Sequence, residues 1–259
     1  MDSLLSHMIV LAKEAGRIAL GHYGKVSAEL KTNLSVVTDA DREVEAFLQD
    51  QLPQLIPGSI FIGEEMTRDA RLLESARQVE WLWVVDPIDG TAGFLDGLDL
   101  FCICIGLLQR GYPHAGILYL PAVNHLYSAL RGGEAEYDGH VIRTLSEEPV
   151  ADRRVLYAEA YAHRHFDFCY TGKIRSMSST ALHLGLVARG VGVGALSGAH
   201  IWDYAAAAAI LEAAGGVLKH LDGRSPDWLS HLDGRKLFPP LLGAPAWMWD
   251  SLAGSISLR

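Results

Sequence analysis

Three apolar runs constrain the fold most: "WLWVV" at 81–85, "FCICIGLLQ" at 101–109 and "GILYLPAVNHLYSAL" at 116–130. Each reads as a strand, and the turn residues of "RGYPHAG" join the second run to the third as a hairpin. The spacing predicts an antiparallel meander. Cys102 and Cys104 alternate within the second run, so both thiols share one face of a buried strand. They read as small core side chains, with no further ligand type nearby in the sequence.

Helical patterns flank this meander. Leu4, Leu5, Met8, Leu11, Ala12, Ala15, Ile18 and Ala19 recur at helical spacing. After a loop or short strand from Lys31 to Val37, the cluster Thr38, Asp39 and Asp41 opens a second helix. Its apolar face is Val44, Phe47, Leu48 and Leu52, and Pro57-Gly58 closes the unit. "SIFIG" is a short strand and "ARLLESARQ" a surface helix or mobile loop. "RGGEAEYDGHVIR" and "TLSEEPVADRR" read as polar turns and loop. The second half supplies strand "RVLYAEA", a loop "KIRSMS" feeding a helix from about Ser179, strand "VGVGAL", and a helix begun at Asp203 and stopped at Gly215-Gly216. The five alanines 205–209 suit a helix face packed close against a neighbour.

This order of helices, meander and βαβα predicts an α+β chain of two sheets layered with helices. The expected organisation is one domain over 1–259, with sub-lobes of about 1–145 and about 146–259. A hydrophobic content of 49% can build a sizeable core, and the net charge of −9 argues against sequence-independent nucleic-acid binding. Three cysteines imply no disulfide framework. The first twenty residues carry Asp2, Lys13, Glu14 and Arg17, which breaks any signal-peptide pattern, and no run is long enough to span a membrane. A cytoplasmic, soluble protein is the expectation.

The chemistry concentrates after the first strand of the meander, in "VVDPIDGTAGF" at 84–94. Pro87 fixes one backbone torsion between Asp86 and Asp89. Two carboxylates held close repel unless protonated or bridged by cations. Gly90 permits close backbone approach, and Thr91 begins a turn whose free N–H groups suit a phosphate. An Asp-capped surface turn explains the same letters equally well. Three distant positions favour the metal reading: Glu64 and Glu65 at the end of a strand, Asp41 at a helix start, and Asp203 at another. Each alone is an ordinary cap or solvated acid. Together they form an oxygen-only set suited to hard cations such as Mg²⁺. Two such cations about 4 Å apart clamp the oxygens of a phosphoryl transfer.

The ordered motifs "GEE" (63–65), "DPIDGT" (86–91) with Phe94 following, and "WDYAAA…EAAGG" (202–216) resemble the inositol monophosphatase family from about Lys31 to Val217. The resemblance implies the five-layer αβαβα sandwich shared with fructose-1,6-bisphosphatases, usually as a homodimer. It implies a lithium-sensitive, Mg²⁺-dependent phosphomonoesterase with two or three cations per site. Glu64, Asp86 and the Ile88 carbonyl would hold the first cation; Asp86, Asp89 and Asp203 the second; Glu64 would share a third. Asp41 and Thr91 would orient the attacking water, making Glu64, Thr91 and Asp41 the catalytic set. Gly90, Thr91, Ser178 and Ser179 would contact phosphate, with Glu65 and Lys31 in support.

The implied substrate is inositol 1-phosphate or a related polyol or sugar phosphate. Two departures bear on it. Family members acting on inositol phosphates carry a glutamate a few residues before the "WD" pair; here no acid lies between Val191 and Trp202. Ala92-Gly93 replaces the usual Thr-Asn before Phe94. Related branches take adenosine bisphosphates, histidinol phosphate or fructose bisphosphate. The bases His163–His165, Lys173 and Arg175 would serve a second phosphate or form a solvated face. His200 is a candidate general acid or a structural histidine. A non-catalytic scaffold binding protein or RNA is the reading from another class, opposed by the intact acidic set.

Overall fold

The computed structural model describes residues 2–25, 29–30, 36–149 and 154–259. The long amphipathic helix α1 (Asp2–His22) leads to a two-residue antiparallel pair, β1 (Glu29–Leu30) with β2 (Val36–Val37), and then to α2 (Asp39–Leu55). Thr38 caps α2, because its hydroxyl and backbone N–H both meet Asp41 in a capping box.

A seven-stranded sheet follows: β3 (Ile60–Gly63), then, after helix α3 (Ala70–Gln78), β4 (Trp81–Asp89). The short helix α4 (Thr91–Leu95) precedes β5 (Cys102–Gln109), β6 (Tyr112–Leu120), β7 (His125–Leu130), β8 (Ala135–Tyr137) and β9 (His140–Val141). Strands β3 and β4 are parallel; the rest run antiparallel in sequence order. The expected meander is present, and the turn-rich stretch at 131–143 adds two further strands to it.

The second sheet has the order β12-β10-β13-β15-β14. It begins with β10 (Val155–Ala158). After α5 (Ala162–His165) and β11 (Phe166–Phe168) comes β12 (Lys173–Arg175), where a loop was expected. Pairing with β10 explains that difference, since nothing in three exposed polar-flanked residues signals a strand before its partner is in place. Then follow α6 (Thr180–Ala188), β13 (Gly194–Ser197), α7 (Ile201–Ala213), β14 (Gly216–His220) and β15 (Leu241–Pro245). Helix α8 (Trp249–Ala253) and β16 (Ile256–Leu258), paired with β11, complete the described chain.

Three apolar layers stack these elements. One joins α1 and α2 to the first sheet through Met8, Val44, Trp83, Val85 and Ile105. The next joins the opposite face of that sheet to α6, α7 and the second sheet through Leu82, Val84, Cys104, Leu184 and Ile210. The third packs Leu156, Leu196, Trp249 and Leu252 beneath the second sheet. Residues 82–85 alternate strictly between the first two layers, as a strand buried on both faces must. The result is the αβαβα sandwich.

Helix α7 lies unusually close to the first sheet. Gly106 and Gly116 are register partners on β5 and β6. A Cβ on Gly106 would come within 2.7 Å of Ala205 Cβ, and one on Gly116 would collide with the Ala206 carbonyl. The alanine run therefore packs on a glycine floor, and no larger side chain fits at either surface.

Candidate active site

Asp86 and Asp89 are three residues apart, and in a regular strand they would point to opposite faces. The ladder to β5 shows why they do not. Asp86 pairs with Cys104 and Asp89 with Cys102, so two intervening residues on β4 face one on β5. The extra residue in the Pro87-Ile88 stretch is a bulge, and it turns both carboxylates toward α6 and α7. Ile88 donates its N–H to Asp86 Oδ1 at 2.9 Å, which steadies the bend.

Asp203 reaches the same place from α7. Ile201 starts that helix, two residues before the expected start, and Asp203 is its third residue. Its Oδ2 accepts the His200 N–H at 2.6 Å. Asp41 stands equivalently on α2, its Oδ2 accepting from Thr38 N at 2.8 Å and Thr38 Oγ1 at 2.6 Å. In both helices an acid in the first turn spends one oxygen on the chain before it.

Carboxylate oxygens of Asp86, Asp89 and Asp203 lie within 4.8 Å of one another, all three residues buried. Asp89 Oδ2 accepts from Ser179 Oγ and Ala181 N, each at 2.7 Å. Burial, then the charges of Glu64 and Asp89, push the Asp86 carboxyl well above the ordinary range. Burial and Asp203 raise Asp89 to about 8. Among the described residues no lysine or arginine pairs with these three acids; the His200 imidazole stands 3.6 Å from Asp203. Buried carboxylates gathered without a lysine or arginine partner are the donor set of a hard cation.

Glu64 follows β3, its N–H bonded to Val85 O at 3.2 Å, and its charge acts on both Asp86 and Asp89. The Thr91 hydroxyl donates to Ile88 O at 3.0 Å and lies 3.5 Å from Asp41 Oδ1. Gly90 holds φ +97°, a conformation suited to glycine, and a Cβ there would press on Leu100 O at 3.2 Å. Ser178 is exposed with φ +63° and lies over Gly93. Ser179 is buried; besides donating to Asp89, it accepts the Leu182 N–H as N-cap of α6. Lys31 lies outside the described residues. His200 stacks on Trp202, with ring centroids 4.9 Å apart.

Two residues escaped the sequence reading. Glu45, one turn after Asp41 on α2, accepts the Glu65 N–H at 2.7 Å, and burial lifts its carboxyl to about 7. A Cβ on Gly63 would strike that carboxyl. Arg68 donates to the carbonyls of Gly63 and Glu64 and lies 4.7 Å over Trp202, tying the "GEE" turn to α7. The spacing Asp41–Glu45 was the available signal for the first; nothing local marks the second. The sequence reading also found no ligand near the thiols, whereas the β4–β5 register sets Asp89 within 4.8 Å of Cys102 and Cys104.

Comparison with known proteins agrees with this geometry. The family model "Inositol monophosphatase family" matches residues 1–240. An inositol-1-monophosphatase of Mesorhizobium japonicum is 31% identical over 236 residues, 86% of this chain and 87% of that protein. A fructose-1,6-bisphosphatase/inositol-1-monophosphatase of Thermotoga maritima is 29% identical over 234 residues, 87% of this chain and 88% of that protein. Among solved structures, the extragenic suppressor protein suhB of Bartonella henselae superposes with TM-score 0.83 at 24% identity, covering 98% of each chain. By matched length, motif order and fold, the chain belongs to the inositol monophosphatase family of phosphoric monoester hydrolases.

Proposed function

We propose that the protein is a Mg²⁺-dependent phosphomonoesterase acting on a small phosphorylated alcohol. The convergence of Asp86, Asp89 and Asp203 from two separate elements, buried and without a lysine or arginine partner among the described residues, carries this reading. Glu64, Asp86 and the Ile88 carbonyl would hold one cation and Asp86, Asp89 and Asp203 another. When bound, Mg²⁺ supplies charge stabilisation at the phosphoryl oxygens and a lowered pKa for water.

The chain's own groups do the rest. Asp41 Oδ1 and Thr91 Oγ1, 3.5 Å apart, orient the attacking water, and the Asp41 carboxylate receives its proton. The N–H groups of Gly90 and Thr91 and the exposed Ser178 hydroxyl face phosphate. Ser179 fixes Asp89 and leaves its second oxygen for the cation. Glu65 and Glu45 support the turn that carries Glu64. No cysteine or serine nucleophile is required.

Inositol 1-phosphate and related polyol or sugar phosphates are the first substrates to examine; nucleoside bisphosphates and histidinol phosphate are the second reading, favoured by the absence of an acid from 192 to 201. A phosphate-release assay across these classes, with and without Mg²⁺ and with lithium added, tests the proposal. Metal-dependent, lithium-sensitive release supports it; no metal-dependent turnover on any member overturns it. A homodimer is part of the same proposal, read by sedimentation.

A further inference from the structure

Strands β10 and β13 run parallel and end together, with Ala158 opposite Leu196. Leu196 is fully buried, and the loop from Gly198 into α7 carries no acidic side chain. The neighbouring strand supplies one instead. Glu159 donates its N–H to Leu196 O at 3.3 Å, and its Oε2 accepts the Gly198 N–H at 3.4 Å. The carboxylate thus stands on the rim of the loop that delivers Asp203. His200 is two positions beyond Gly198, a reach of about 7 Å, and His200 N is 2.6 Å from Asp203 Oδ2.

Glu159 and Gly198 line a cavity of about 530 Å³. That volume falls in the range of small-molecule sites. Arg164 from α5, Lys236 and Phe238 line the same cavity. Leu237 anchors this segment by donating its N–H to Ala199 O at 2.9 Å. Phe238 is 71% exposed. Arg164 lies over the Tyr161 ring at 4.6 Å, and neither it nor Lys236 is ion-paired among the described residues. In a chain of net charge −9, two cations facing one cavity beside an acidic centre make a local attractor for anions.

We propose that this cavity receives the leaving-group portion of the substrate and selects phosphomonoesters whose alcohol carries a second anionic group. Arg164 and Lys236 hold that group, Phe238 covers an apolar or planar part, and Glu159 accepts a hydroxyl. The assignment rests on the phosphatase reading and adds the substrate class to it.

The test compares kcat/KM for glycerol 2-phosphate, with one anionic group, against fructose 1,6-bisphosphate, a nucleoside 3',5'-bisphosphate and 3-phosphoglycerate. The last three separate phosphate from carboxylate as the second anion. The wild type should favour at least one doubly anionic class by about tenfold, the size of one good ion pair. Lys236→Gln and Arg164→Gln should remove that advantage by raising KM for the doubly anionic substrates about tenfold more than for glycerol 2-phosphate. Equal effects on both classes, or no preference in the wild type, overturn the subsite. Failure of the phosphatase reading shows separately, as absence of Mg²⁺-dependent turnover on all four. Calorimetric binding of the nucleoside bisphosphate to chelator-treated wild type and Lys236→Gln then decides the subsite alone: weaker binding by the variant supports it, and equal or absent binding overturns it.

Discussion

Ser179 Oγ donates its hydrogen to Asp89 Oδ2 at 2.7 Å and itself accepts the Leu182 N–H at 2.9 Å. One side chain therefore starts α6 and aims a candidate metal ligand. Ser179→Ala removes both contacts. Loss of the cap should cost about 1 kcal/mol, read as a lower denaturation midpoint. Asp89 loses one of its two donors, so the Mg²⁺ concentration for half-maximal activity should rise. Ser179→Thr, which keeps the hydroxyl, should restore most of both.

Asp203→Asn keeps an oxygen that can accept the His200 N–H. Circular dichroism and the melting midpoint should stay close to wild type, while a ligand charge disappears. Turnover should fall by about 100-fold or more, on the scale of losing a metal contact. Asp89→Asn should behave likewise. Retained activity in either variant removes that residue from the ligand set.

The acidic centre should make stability depend on pH and on divalent cations together. Asp89 sits at about 8 in the fold against an ordinary 3.8, and Glu45 at about 7 against 4.5, both chiefly through burial. Each binds a proton in the folded state that the unfolded chain releases. Their contribution is present below the unfolded values and is lost as pH rises toward 7 and 8. A bound cation replaces the proton. Thermal melts of chelator-treated protein should show a larger gain on adding Mg²⁺ at pH 8 than at pH 5.5. His183 acts on the acid side: buried, lowered to about 4 and accepting the Met177 N–H, it costs stability as pH falls below its ordinary 6.5.

Glu45 positions the "GEE" turn through its carbonyl-type oxygen, without contacting substrate. Glu45→Gln retains an acceptor for the Glu65 N–H, whereas Glu45→Ala leaves that half-buried donor unpaired. The Mg²⁺ requirement should rise in Glu45→Ala and stay near wild type in Glu45→Gln. Equal effects from both would assign Glu45 a charge role.

Gly116→Val should destabilise the fold on the order of 3 kcal/mol, because the new side chain meets the Ala206 backbone with no room to turn. Denaturant titration reads this directly. The N-terminal turn of α7 carries Asp203, so the surviving folded fraction should also bind Mg²⁺ more weakly.

Much of this protein was legible in its letters. Apolar alternation set the meander, helical spacing set α1 and α2, and small residues at 205–209 announced a close helix contact. The order of "GEE", "DPIDGT" and "WD" pointed to the family and named the candidate ligands. These features are local, carried by periodicity and residue type. Other features needed partners distant in sequence. Residues 173–175 became a strand only beside β10. Glu45 and Arg68 gained their positions from the "GEE" turn and Trp202. Above all, the sequence set Asp86 and Asp89 three residues apart, which regular pleating sends to opposite faces. The ladder to Cys104 and Cys102 forces a bulge between them, and that one extra residue turns both carboxylates toward Asp203.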